Sequence, residues 1–165
     1  MARRVIDAYG VGMAAEVTEQ ITVRAPVNTV YEAVADVRSM ARWSPECFAI
    51  WVTRRAEGRP ARFVGWNRRG PYLWFTTCAV AVAEHGKEFA FDVTTFGQPV
   101  SRWGVRLAET AGGTEVTEYW QDQRNGTAKK LGRVFTGKVA KSRPEANADG
   151  MRQTLRRLKE ELEGA

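Results

Sequence analysis

Residues 61–84 read ARFVGWNRRGPYLWFTTCAVAVAE. Two alternating runs, rich in β-branched and aromatic residues, flank the Gly70-Pro71 step, which is the pattern of an antiparallel hairpin. The stretch also holds residues that a plain strand does not need. Gly65 stands two places before Asn67, Trp66 and Trp74 flank the turn, and Cys78 has no evident partner.

The same pattern extends in both directions. CFAIWVTRR (47–55) is followed by the turn EGRP, KEFAFDVTTF (87–96) by GQP, and VSRWGVRLAE (100–109) by AGG; TEVTEYWQDQ (114–123) closes the run. Six strands joined by short Gly/Pro turns imply an antiparallel meander. Upstream, EVTEQITVR (16–24) alternates as a strand and ends at Ala25-Pro26. Val27, Val30, Tyr31 and Val34 then fall on one helical face, with Pro26 suited to the first turn. SMARWSPE (39–46) reads as a short turn or helix that stops before Pro45. At the other end Ala148, Met151, Leu155, Leu158 and Leu162 form one apolar face of a long helix, with Gly164 as a stop signal.

The order is therefore strand, helix, six strands, long helix. It predicts an α+β fold in which a seven-stranded antiparallel sheet curves around the C-terminal helix, with short helices between the first two strands. Such a grip leaves a gap between sheet and helix, where ligands bind. Residues 16–163 read as one domain and 1–15 as an N-terminal extension whose order the sequence leaves open.

Composition narrows the function. The chain has 165 residues, 44% hydrophobic and 27% charged, with six Trp and a net charge of +6. A basic balance raises the weight of anionic partners without naming one. The N-terminal MARRVIDAYGVGMAAEV lacks an uninterrupted apolar core, so no signal peptide is read. No window is long and apolar enough for a membrane span. The expectation is a cytoplasmic protein with Cys47 and Cys78 reduced. The single histidine, His85, lies at a hairpin tip, which removes Ser-His-Asp and Cys-His arrangements. No His/Cys cluster has metal spacing. Gly10-x-Gly12 and Gly112-Gly113 are turn glycines, not phosphate loops. No cofactor is implied.

Four stretches resemble a known superfamily. ITVRAPVNTVYEAVADVRSMARWSPE (21–46) resembles the opening strand, Ala-Pro junction, helix and Trp-Ser-Pro turn of the START/Bet v1-like proteins (SRPBCC; polyketide cyclase/dehydrase-like). FVGWNRRG (63–70) is similar to their third-strand F-x-G-x-N stretch, GGTEVTEYW (112–120) to their last strand, and NADGMRQTLRRLKEELE (147–163) to their closing helix. The resemblance implies a helix-grip fold and a hydrophobic ligand cavity. In some relatives it implies cyclisation and dehydration of poly-β-ketone chains. Others carry lipids, bind plant hormones or sequester reactive antibiotics.

Alternation places Phe63, Gly65 and Asn67 on one face, with Trp74, Thr76 and Cys78, then Trp103, then Val116, Glu118 and Trp120 on the faces that must look at the helix. Phe63, Trp74, Trp103, Trp120 and Met151 are the expected walls, with Thr76 and Leu155 on the same faces. Gly65 either makes room for a ligand or only lets the sheet bend. Asn67 sets an amide among apolar groups. Glu118 is either an acid or base tuned by burial or one half of an ion pair with Arg68 or Arg102. Cys78 reads as a small buried apolar residue.

The basic segment 129–143 allows three readings: a solvated lid, a contact for an acidic acyl carrier protein or anionic substrate, or a nucleic-acid contact. The last lacks interleaved aromatics there. The leading expectation is binding of a bulky aromatic or polyketide-like molecule, with or without assistance to cyclisation or dehydration. A non-catalytic carrier or sequestering protein has the same walls. An interaction module acting through the basic segment is the third reading.

Overall fold

The computed structural model describes residues 16–124 and 143–164. The N-terminal extension and nearly all of the basic segment fall outside them. Strand β1 (Glu16–Val23) leads into helix α1 (Val27–Ala35), a 3-10 turn (Val37–Ser39) and the short α2 (Met40–Trp43). Six strands follow: β2 (Cys47–Ala56), β3 (Arg59–Arg69), β4 (Tyr72–Glu84), β5 (Glu88–Thr95), β6 (Gln98–Thr110) and β7 (Gly113–Asp122). The last element is α3 (Arg143–Glu163). The seven strands form one antiparallel sheet in the order β1-β7-β6-β5-β4-β3-β2. The expected helix-grip architecture is the observed one.

Local chemistry accounts for the junctions. Pro26 is extended and α1 begins at the next residue. Asp36 ends α1 and starts the 3-10 turn, its carboxylate accepting from Arg38 N at 3.3 Å and Ser39 Oγ at 2.8 Å. In the Trp-Ser-Pro turn, Ser44 Oγ accepts from Glu46 N and Cys47 N, so the chain turns into β2 without orphaned donors. Trp43 donates its indole N–H to Glu161 Oε2 at 2.7 Å and Arg42 pairs with the same carboxylate, pinning α2 to α3.

Helix α3 runs in the same direction as the edge strand β1. Arg152 reaches Glu19, Lys159 Nζ donates to Thr22 O at 2.6 Å, and Glu163 accepts from Arg24 N at 2.8 Å. The Arg24 backbone bond, the Lys159 ammonium and the Arg24 guanidinium together lower the Glu163 pKa to about 2. Covering one edge this way removes a free template for intermolecular pairing.

The core fills the concave side. Val30, Tyr31 and Val34 of α1 pack with Phe63, Cys78, Phe89, Phe91, Leu107 and Val116 of the sheet and with Leu155 and Leu158 of α3. The apolar stripes expected on both helices are thus the buried ones.

The convex side has its own buried spot. Tyr119 is buried with its ring laid across Gly104, its hydroxyl donating to Glu88 Oε1 at 2.6 Å and the Arg106 guanidinium 4.0 Å above the ring. A Cβ at Gly104 would stand 2.5 Å from Tyr119 Cε1. Gly104→Ala is expected to cost about 1–3 kcal/mol through overpacking. Part of that loss should return when Tyr119→Val is added, because the two sites share one contact. Urea midpoints of both single variants and the double measure the coupling; additive losses would disprove it.

Candidate functional site between the sheet and the C-terminal helix

Strand register fixes which predicted residues meet. On one flank Phe63 pairs with Cys78, Gly65 with Thr76 and Asn67 with Trp74 across β3–β4. On the other, Trp103 pairs with Trp120, Val105 with Glu118 and Leu107 with Val116 across β6–β7. All of these side chains lie on the concave face, as the two-residue period requires. Only β5 lies between the two groups, so Asn67 and Glu118 stand on different flanks of the concave face.

The first group is largely self-satisfied. Asn67 Nδ2 donates to Gly65 O at 3.1 Å and lies 3.4 Å from Thr76 Oγ1. A Cβ at Gly65 would meet Thr76 Oγ1 at 3.2 Å, with Cys47 Sγ and Asn67 Nδ2 at 3.9 Å. Gly65 therefore makes room for its own neighbours' polar groups. Strand irregularities that bend this region lie in β2, between Cys47 and Ala49 and near Arg54. Phe63 packs edge-on against Phe91, with centroids 5.1 Å apart, and belongs with Leu155 to the closed core. Cys47 and Cys78 are both free and buried, and desolvation raises their thiol pKa values to about 11 and about 12. Neither is a thiolate at neutral pH, so Cys78 serves as a small apolar group.

The second group contains the chemical anomaly. Trp120 and Met151 are buried, and Trp103 is half-buried. Glu118 keeps some accessible surface on its other atoms, but its Oε2 is sealed and has no hydrogen-bond partner among the described residues. Desolvation alone raises this carboxyl to about 8. The carboxyl end is the part that titrates, so its depth governs the shift rather than the exposure of the residue as a whole. Neither expected arginine neutralises it. Arg102 bonds Asp92 at 2.7 and 2.9 Å on the convex face, and Arg68 is exposed on that same face, opposite Leu73. Alternation carried this signal: Arg68 and Arg102 each adjoin an inward residue, Asn67 and Trp103, and so must point outward. The acid across the β1–β7 ladder, Glu19, takes Arg152 from α3, and Arg152 also binds Asp149. The cation nearest in register is therefore already shared between two other carboxylates.

His85 is exposed and bonds Glu32 at 2.9 Å, beside Arg59. It takes no part in either group. Sequence reasoning missed a separate cleft of about 280 Å³ at the opposite end of the sheet. Tyr31, Glu32, Asp36, Val52, Arg59 and Phe89 contribute to its walls, and none of the predicted site residues does. Among the described residues no cluster of three His, Cys, Asp or Glu could hold a metal ion.

Comparison with known proteins adds to this geometry. Residues 14–163 match the family model described as polyketide cyclase / dehydrase and lipid transport. Comparison with curated proteins gave no match. Among solved structures, a Polyketide_cyc-like protein from Corynebacterium glutamicum is 25% identical over 93% of this chain and 94% of its own, with a TM-score of 0.57. A protein from Deinococcus radiodurans is 15% identical over 92% of this chain and 100% of its own, with a TM-score of 0.65. The di-domain ARO/CYC StfQ from the steffimycin biosynthetic pathway superposes with a TM-score of 0.71 at 12% identity; 92% of this chain matches 51% of that one.

Proposed function

The chain belongs to the polyketide cyclase / dehydrase and lipid transport family, and from that premise we propose that it binds a bulky hydrophobic small molecule bearing an oxygen function. The ligand lies between the concave face of the sheet and α3. The observation that carries this reading is Glu118: a sealed carboxyl oxygen without a partner among the described residues, on the concave face beside Trp103 and Trp120. An unsatisfied buried polar group is costly. A chain keeps one where a ligand completes it. With its pKa raised to about 8, the carboxyl is protonated at neutral pH and donates a hydrogen bond. A ketone, phenol or ester oxygen accepts one.

Trp103, Trp120 and Met151 supply the apolar contact, and Trp74, Thr76 and Asn67 border the groove from the other flank. If the ligand reacts, Glu118 is the group that moves a proton, and orientation does the rest. The buried, protonated thiols supply no nucleophile. A carrier or sequestering protein uses the same contacts without turnover.

The test is a tryptophan-fluorescence titration with polycyclic phenols, polyketide mimics and fatty acids. Saturable quenching by one class is expected. It should weaken in Trp120→Phe and fall off as the pH rises past about 8, where Glu118 loses its proton. Quenching that ignores both changes would place the ligand elsewhere. Turnover that disappears in Glu118→Gln while binding persists would make the protein an enzyme.

A further inference from the structure

The convex face of β2, β3 and β4 carries an unusual surface. Trp51 is 70% exposed, Leu73 67%, Trp66 43% and Phe75 39%, and Phe96 in the β5–β6 turn is 72% exposed. Three of the rings form one cluster, and Trp51 stands on the same face in register with Val64. Trp66 and Phe75 pair across the β3–β4 ladder with centroids 5.7 Å apart, and Phe96 meets Phe75 at 5.9 Å. Contiguous exposed apolar surface of this kind marks an interaction site.

Phe96 is held there at a conformational cost. It has φ +49 and is followed by Gly97 at φ +74. Two consecutive positive φ values suit Asn-Gly in a two-residue hairpin turn, and a bulky aromatic residue is disfavoured at the first of them. The ring gains no burial in return. A position that favours asparagine carries an exposed phenylalanine beside Phe75.

The charge around this cluster is only partly compensated: Arg59 pairs with Glu32 and Arg69 with Glu46. Between Cys47 and Ala83 the chain holds six arginines and one acid, Glu57, which lies in the β2–β3 turn. Arg54 and Arg62 are direct register partners, both exposed, and like charges placed opposite each other are unfavourable. Arg68 continues the same outward row of β3, past Val64 and Trp66. These three arginines enter no ion pair among the described residues.

We propose that this face docks on an anionic lipid bilayer. Tryptophan and phenylalanine sit at headgroup depth, while arginines reach anionic headgroups. A second copy fits poorly, because a twofold contact through this patch would bring Arg54, Arg62 and Arg68 of both copies together. Single-stranded nucleic acid fits less well than a bilayer. The rings are tilted at 49° and 72° to one another, so they form no parallel row on which successive bases stack. The proposal concerns a different face from the groove and stands independently of the ligand assigned there.

The test is co-sedimentation of the full chain with vesicles of phosphatidylcholine, with and without phosphatidylserine. Binding is expected only to the phosphatidylserine vesicles and should weaken at high salt. Arg62→Glu should lower it by at least about fivefold, since each basic residue near such a surface contributes roughly that factor. Trp51→Ala with Phe96→Asn should abolish it while leaving the far-UV spectrum and urea midpoint unchanged or improved. No binding to either vesicle, or binding indifferent to these substitutions, overturns the proposal. So does binding to a single-stranded oligonucleotide, or self-association, in place of vesicle binding.

Discussion

Replacing Gly113 with alanine is expected to cost at least about 3 kcal/mol, enough to threaten folding of a domain this size. Gly113 has φ +126, a conformation that L side chains rarely adopt. A Cβ there would stand 2.9 Å from Arg24 Cα and closer still to the Val23 carbonyl oxygen. Both neighbours are backbone, held by the β1–β7 ladder, and neither can rotate away. The next residue explains the close approach: Thr114, fully buried, donates its hydroxyl to Ala25 O at 2.8 Å. Together they fasten the start of β7 to the bend between β1 and α1. Gly112 is the internal control. It has no positive φ, and a Cβ there meets only Thr22 Cγ2 at 4.0 Å. Gly112→Ala should therefore stay within about 0.5 kcal/mol of wild type. Urea denaturation followed by far-UV circular dichroism separates them, and equal midpoints for the two variants would refute the account.

The second large effect concerns Glu118 and pH. Its folded pKa, about 8, lies above the ordinary 4.5, so the folded protein binds a proton that the unfolded chain has released. Between those two values wild-type stability should fall as pH rises, by up to about 1.4 kcal/mol per pH unit from this group. Below pH 4.5 the group is neutral in both states and contributes no difference. Above about 8 it is charged in both and its penalty is constant. Glu118→Gln keeps the shape and removes the charge. The variant should match wild type near pH 4 and exceed it by several kcal/mol at pH 9. Glu163 acts in the opposite direction and should be left in place for the comparison. Its pKa is lowered to about 2, so its contribution is present above 4.5 and fades as pH falls toward 2. Parallel stability–pH curves for wild type and Glu118→Gln would show that the carboxyl is not desolvated.

Much of the fold was legible because strand and helix periods are local. YLWFTTCAVAVAE coincides with β4, and the Met151, Leu155 and Leu158 stripe is the buried face of α3. The period of two also assigned Gly65, Asn67 and Glu118 to the concave side. It equally placed Trp66 outward, although the aromatic patch emerged only when Phe75 and Phe96 joined it there. The candidate site was legible as a set of inward residues but not as an arrangement. Asn67 turned out to be engaged with Gly65 and Thr76, and the arginines expected beside Glu118 were on the other face.

Local sequence sets the order of elements, the antiparallel pairing of neighbouring strands and the face on which each side chain lies. Each of these follows from turn chemistry and from periodicity within a few residues. Long-range packing set which carboxyl is left without a partner among the described residues, which glycine of the Gly112-Gly113 pair is indispensable and where Arg102 spends its charge. Those outcomes depend on contacts such as Thr114 with Ala25 and Arg152 with Glu19, separated by 89 and 133 residues. Desolvation and close packing arise only when such distant segments meet, and no local pattern carries them.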